Sequence, residues 1–94
     1  MGFCEPSGGI HRVDGEKLEA EDQITNSRYD LYVRGELYTS RWYDANGRAI
    51  HDRDYTDHKN PKAHPVVPHD HPWDWTKNPP RQVQWIHPDF EHFC

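Results

Sequence analysis

Polar and apolar residues alternate over residues 28–34, and this alternation, together with the strand-favouring residues and hairpin signal that follow it, predicts three β-strands. Over residues 28–34, apolar side chains occupy every second position, which is the period of a half-buried strand. Gly35 ends this strand, and residues 36–43 form a second one, rich in the Tyr, Thr and Trp that favour strands. Residues 48–55 return as a third strand, so this part of the chain is predicted to be an antiparallel sheet.

The turn between the second and third strands contains Asn46-Gly47, a strong hairpin signal between two strand-like runs. We take these two residues as the loop, which sets the register of the hairpin. The facing pairs are then Ala45–Arg48, Tyr43–Ile50, Trp42–His51, Arg41–Asp52 and Tyr38–Tyr55. Opposite charges and apolar side chains meet in this register, and each such pair contributes a few tenths to about 1 kcal/mol.

The N-terminal part of the chain has a weaker pattern. Residues 1–9 combine Gly, Pro and Ser without periodicity, which predicts a flexible arm, so that a single small domain covers residues 10–94. Residues 14–25 are predicted to form a short helix with Asp14 as its N-cap, although its apolar face holds only two residues.

The C-terminal part is rich in His and Pro. Six prolines between residues 61 and 80 exclude a helix, so residues 57–80 are predicted to wrap the sheet in an extended form. Residues 81–87 are predicted to form a last strand, and Pro88 opens a helical turn. The expected fold is α+β: a three- to four-stranded antiparallel sheet, mostly a meander, with one short helix and a long proline-rich segment.

Composition narrows the class of protein. Hydrophobic residues make up 33% of the chain and aromatic residues 13%, so few but bulky side chains anchor the fold. The chain has no run of 18 apolar residues and no charged-then-apolar N-terminal segment, so we expect no membrane span, no secretory signal and a cytoplasmic location. The net charge of −5 argues against strong non-specific binding of nucleic acids.

The two cysteines do not indicate a metal site. Cys4 and Cys94 lie near opposite ends of the chain, and a reducing cytoplasm favours free thiols over a disulfide between them. A CxxC pair is absent, which excludes a zinc ribbon or zinc knuckle.

Histidines supply the candidate chemistry. The chain has eight, and three of them, His64, His69 and His71, fall within eight residues. In an extended segment His69 and His71 point to the same side, about 6.5–7 Å apart along the chain. Two such imidazoles can bind one zinc ion together with a third ligand from His64, His58 or Asp54.

Two other roles remain open for the same residues. The histidines can instead donate hydrogen bonds that hold a loop lacking regular backbone pairing. They can also act as an acid–base pair that cleaves RNA, in which His58 works with His69 or His71 and Arg53 or Arg41 holds the phosphate. Separately, Trp73 and Trp75 are either core residues or an anchor for a protein partner.

The segment Arg41-Trp42-Tyr43-Asp44-Ala45-Asn46-Gly47-Arg48 resembles one unit of the YD repeat of Rhs-type proteins, which also forms hairpins. The stretch from Asp52 through His64-Pro65 to Pro68-His69-Asp70-His71 is similar to small His- and Pro-rich bacterial or phage modules. Some of these lie at the C-termini of polymorphic toxins. The resemblance implies an origin in a prophage or other mobile element and, in some relatives, RNA cleavage on an α+β scaffold.

Three functions follow as hypotheses. The first is an accessory or interaction domain whose histidine cluster is structural or binds a metal. The second is a toxin-type ribonuclease that uses a histidine acid–base pair, and the third is a zinc-dependent hydrolase. The sequence leaves open whether the protein is an enzyme.

Overall fold

In the part of the chain that the structure describes, five β-strands form one sheet, and their order in the sheet follows their order in the chain. The structure is a computed structural model, and it describes residues 6–55 and 69–83. β1 runs parallel to β2, and each later strand pairs antiparallel with the one before it. The strands are β1 (Ile10–Asp14), β2 (Arg28–Val33), β3 (Glu36–Tyr43), β4 (Ala49–Asp54) and β5 (His69–Pro72).

The predicted α+β class is wrong, because the described residues contain five strands and no helix. Residues 15–27, which include most of the predicted helix, instead form an irregular crossover that the parallel β1–β2 pair requires. Their backbone hydrogen bonds go to other segments, as in Ala49 N–H to Ala20 O and Gln23 N–H to Gly47 O. Among the described residues, no helix has the length and apolar character needed to span a membrane.

β2, β3 and β4 agree with the three predicted strands to within one residue at each end. β1 and β5 were not predicted as strands, because neither has a clear alternation of polar and apolar side chains. The predicted strand over residues 81–87 is not found in its described part, where Arg81 forms one isolated bridge with Trp73. Residues 84–87 and the predicted turn at Pro88 lie outside the described residues.

The hairpin between β3 and β4 has the predicted Trp42–His51 and Arg41–Asp52 pairs, but its turn differs from the prediction. Gly47 N–H bonds to the carbonyl oxygen of Asp44, so Ala45 and Asn46 are the central turn residues and Gly47 follows with a φ of 74°. The Asp44 carboxylate accepts hydrogen bonds from the backbone N–H groups of residues 46 and 48, which favours this turn. The resulting bulge places Tyr43 opposite Ala49 instead of Ile50.

Cross-strand pairing divides the polar side chains between the two faces of the sheet. We call one the histidine face, and it carries Thr39, Arg41, Asp52, Asp54, His69 and His71. We call the other the Trp42 face, and it carries Arg28, Asp30, Ser40, Trp42, His51, Arg53 and Asp70.

The interior of the described part is mostly polar. Leu31, Trp42, Tyr43 and Ala49 are its buried hydrophobic residues, whereas ten polar or charged residues are buried. Arginines cover aromatic rings where an ordinary core has aliphatic side chains. On the Trp42 face, the guanidinium carbons of Arg28 and Arg53 lie 5.7 and 5.5 Å from the Trp42 ring centroid.

The crossover is fastened to the histidine face by two side chains of β3. Arg41 donates from Nη1 to the carbonyl oxygen of Leu18 at 2.9 Å, and the Tyr43 hydroxyl donates to the carbonyl oxygen of Glu19. Burial raises the pKa of Tyr43 to about 12. These bonds tie the irregular segment to the sheet where an amphipathic helix was predicted.

We expect Gly47→Ala to destabilise the protein by about 2–4 kcal/mol, measured by urea denaturation. A Cβ at this position would lie 2.5 Å from the carbonyl oxygen of Gln23, and the positive φ adds a cost of about 1–2 kcal/mol. Gly35→Ala is the matched control, because Gly35 has a φ of 81° but nothing within 4 Å of the added Cβ. Equal losses in the two variants would show that the contact with residue 23 has no effect.

We expect stability to fall as pH rises from 10 toward 12, by up to about 2–3 kcal/mol, because unfolding releases the phenol of Tyr43 to ionise at its ordinary pKa near 10. The folded state binds this proton more tightly, so the contribution is complete below pH 10 and is lost as pH passes through the folded pKa. Urea denaturation between pH 8 and 12 measures it. Tyr43→Phe should show a shallower decline, and an identical slope would contradict the assignment.

Candidate metal centre

The pairing of β4 with β5 brings the candidate ligands together. Asp54 lies directly opposite His69 in the antiparallel register, and His71 follows two residues later on the same face. One ligand atom from each of these three residues can be chosen so that all lie within 4.8 Å of one another. All three side chains are buried, and the pairing of β4 with β5 fixes their relative positions.

The distances within this group exceed those of hydrogen bonds. The Nε2 atoms of His69 and His71 each lie 3.6 Å from Oδ2 of Asp54, whereas N–H···O bonds span about 2.7–3.2 Å. Two ligand atoms on a tetrahedral zinc ion are about 3.3 Å apart when their bonds are about 2.0–2.1 Å long. The two rings are nearly perpendicular, with centroids 5.0 Å apart, and both Nε2 atoms approach the same carboxylate oxygen.

One hydrogen bond fixes the orientation and tautomer of His71. Its Nδ1 lies 3.1 Å from the carbonyl oxygen of Gln82, and because a carbonyl only accepts, Nδ1 carries the hydrogen. Burial and the charge of Arg81 lower the pKa of His71, which favours the neutral ring. Nε2 then presents a lone pair toward Asp54, as metal-binding histidines do when a backbone carbonyl holds their other nitrogen.

Asp54 is held by hydrogen bonds to both oxygens. Thr39 Oγ1 donates to Oδ1 at 3.1 Å, and Arg81 Nη2 donates to Oδ2 at 3.0 Å. Each carboxylate oxygen has two lone pairs, so Oδ2 can accept from Arg81 and still bind an ion. The guanidinium therefore orients the carboxylate but places a positive charge near the site.

Asp52 holds Arg81 in this position. Arg81 Nε donates to Oδ2 of Asp52 at 2.6 Å, while Arg41 binds the same carboxylate through Nε and Nη2 at 2.6 and 3.0 Å. Despite the desolvation that burial imposes, the bond to Asp52 raises the pKa of Arg41. The two buried carboxylates and the two guanidinium groups, of which that of Arg81 is partly exposed, form one chain of charges beside the histidines.

The predicted catalytic residue Arg53 lies on the opposite face of the sheet. It binds Asp70, which also accepts a hydrogen bond from His51 Nε2 at 2.8 Å. Asp70 lies between the two candidate ligands in sequence but points away from them, so it does not orient their rings. Burial would raise the pKa of Asp70, but the hydrogen bonds from His51 and Arg53 lower it.

The structure therefore unites three of the sequence-derived site residues and separates a fourth from them. Asp54, His69 and His71 form one group, Arg53 stands apart, and His58 and His64 lie outside the described residues, as do Cys4 and Cys94. Sequence reasoning missed Thr39, Arg81 and Gln82. Arg81 carries no local signal, since it is 27 residues from Asp54 and lies in a segment predicted as strand.

Trp73 and Trp75 lie beside the histidine face. Their rings stack with centroids 5.7 Å apart, and the guanidinium groups of Arg41 and Arg48 cover them on either side. Trp75 Nε1 donates to the carbonyl oxygen of Ala49 at 2.7 Å, which fastens this segment to β4. Both rings thus have a structural role, and a protein partner at this position stays a prediction.

Comparison of the chain with protein-family models, with curated proteins and with solved structures finds no match.

We expect Asp70→Asn to destabilise the protein by about 2–3 kcal/mol in urea denaturation at pH 7. The change leaves Arg53, which is 20% exposed, without the charge of a carboxylate that is fully buried. Asp14→Asn is the matched control, since Asp14 also binds an arginine but both partners are exposed. The control should show no measurable change, and a similarly small change in Asp70→Asn would contradict a central role for this pair.

Proposed function

We propose that the chain binds a divalent transition-metal ion, specifically zinc, through Asp54, His69 and His71. The observation that carries the proposal is the hydrogen bond from His71 Nδ1 to the carbonyl oxygen of Gln82. It turns the lone pair of Nε2 toward a carboxylate oxygen 3.6 Å away. A lone pair and a carboxylate repel each other in a buried site, and a cation bound between them reverses the sign of that interaction.

The ligand types support zinc among the common ions. Two imidazole nitrogens and one carboxylate oxygen form a set that zinc accepts, whereas magnesium and calcium prefer oxygen ligands alone. The neutral form of His71 suits metal binding because a protonated ring cannot ligate. The bonds from Thr39 and Arg81 to Asp54 supply the outer hydrogen bonds that such sites use to orient their ligands.

The proposal is the metal-binding form of the accessory domain expected from the sequence. The toxin-type ribonuclease and the zinc-dependent hydrolase stay hypotheses, and so does the relationship to polymorphic-toxin modules. The ribonuclease hypothesis loses one of its two candidate phosphate-binding arginines, because Arg53 is bonded to Asp70 on the Trp42 face.

We expect the full chain to bind one equivalent of zinc, counted by elemental mass spectrometry after desalting. In isothermal titration calorimetry, Asp54→Asn and His69→Gln should each weaken zinc binding at least about 100-fold. His11→Gln is the matched control and should bind zinc normally. His11 belongs to β1, and its Nε2 is 2.8 Å from the carbonyl oxygen of Gly8.

The ring nitrogens of His71 give an independent check by ¹⁵N NMR. The zinc-free protein should show the Nδ1–H tautomer of His71, and zinc should shift Nε2 while Nδ1 keeps its hydrogen. A zinc content near zero, or equal affinities in the wild type and the two ligand variants, would overturn the proposal. Circular dichroism on every variant shows whether a loss of binding reflects unfolding.

A further inference from the structure

A cavity of about 260 Å³ opens beside the candidate metal centre, on the histidine face. Asp54 forms part of its wall, whereas His69 and His71 do not, so the cavity adjoins the candidate metal centre through this carboxylate. The volume is slightly below the roughly 300–1,000 Å³ of common ligand pockets, which indicates a small ligand. Leu18 and Leu31 supply an apolar part of the wall.

The charges on the wall balance until an ion binds. Three acidic residues line the cavity, Glu16, Asp52 and Asp54, and three basic residues, Lys17, Arg41 and Arg81, face them. Their formal charges sum to zero. A divalent ion at Asp54 changes that sum to +2, so the cavity becomes attractive to anions only when the metal centre is filled.

Two of the basic residues, Arg81 and Lys17, have N–H donors that are available to a ligand. Arg41 does not, because Nε and Nη2 bond to Asp52 and Nη1 bonds to carbonyl oxygens of the crossover. Arg81 bonds through Nε and Nη2, and its side chain is 34% exposed, so Nη1 remains for a ligand. Lys17 is exposed and forms no ion pair within residues 6–55 and 69–83.

We infer that this cavity binds the phosphate group of a small organic phosphate ester, and this inference rests on the proposed zinc site. Phosphate oxygens accept hydrogen bonds from the guanidinium of Arg81 and the ammonium of Lys17, and the ion at Asp54 adds positive charge beside them. Phosphate has enough oxygens and charge to contact several donors at once. The apolar wall at Leu18 and Leu31 contacts the organic part of the ester.

The size and charge of the protein favour a small ester over a nucleic acid. The chain has a net charge of −5, and binding a polyanion requires clustered basic residues along an extended surface. The cavity holds one phosphate group with a small substituent, which a monoester such as phenyl phosphate represents.

The test is calorimetric titration of phenyl phosphate into the full chain, in zinc-loaded and zinc-free forms, with zinc counted in each sample. We expect binding in the zinc-loaded form and a loss of at least about tenfold without zinc. Lys17→Gln should weaken binding about three- to fivefold while the zinc content stays at one equivalent. Lys77→Gln is the matched control, since Lys77 is also exposed but pairs with Asp74 away from the cavity.

The outcomes separate this inference from the proposed zinc site. One equivalent of zinc without measurable binding of phenyl phosphate would overturn the phosphate site and leave the zinc site standing. Equal affinities in wild type and Lys17→Gln would also overturn the assignment of the ester to this cavity. A chain that binds no zinc would overturn the zinc site, and with it the inference that rests on it.

Discussion

The buried carboxylate of Asp52 is the constraint on which the rest of the structure depends. It is fully buried and lies between the guanidinium groups of Arg41 and Arg81. Through Arg41 it holds the crossover, and through Arg81 it holds Asp54 and the chain beyond β5. Removing one partner from a buried ion pair costs about 3–5 kcal/mol, so this group couples regions that are distant in sequence.

The same principle operates on the other face of the sheet and compensates for the small hydrophobic core. Asp70 binds Arg53 and His51 there, and arginines stack on Trp42. Polar groups of this kind are costly to bury unless every partner is in place, so they favour one register over its neighbours. That register also sets His69 opposite Asp54, so the candidate metal centre is a consequence of how the sheet is held together.

Local sequence pattern was sufficient to predict the strands in the middle of the chain. The two-residue period predicted β2, the strand-favouring residues predicted β3, and the hairpin signal predicted β4 and the pairing of Arg41 with Asp52. The prediction that His69 and His71 point to one side needed only an extended backbone, since alternate side chains of a strand share a face. The position of the turn at Gly47 was predicted correctly, but its central residues were not. The Asp44 carboxylate selects a different backbone conformation.

Tertiary contacts decided the structure of the other segments. The amino-acid sequence by itself determined three strands, the pairing of β3 with β4 and a pair of histidines with a common direction. Only the fold decided that residues 15–27 cross the sheet without a helix, that β5 pairs at its edge, and that Arg81 and Gln82 reach Asp54 and His71. The physical reason is that these segments form hydrogen bonds with residues far away in the chain. A local periodicity in the sequence therefore cannot predict their structure.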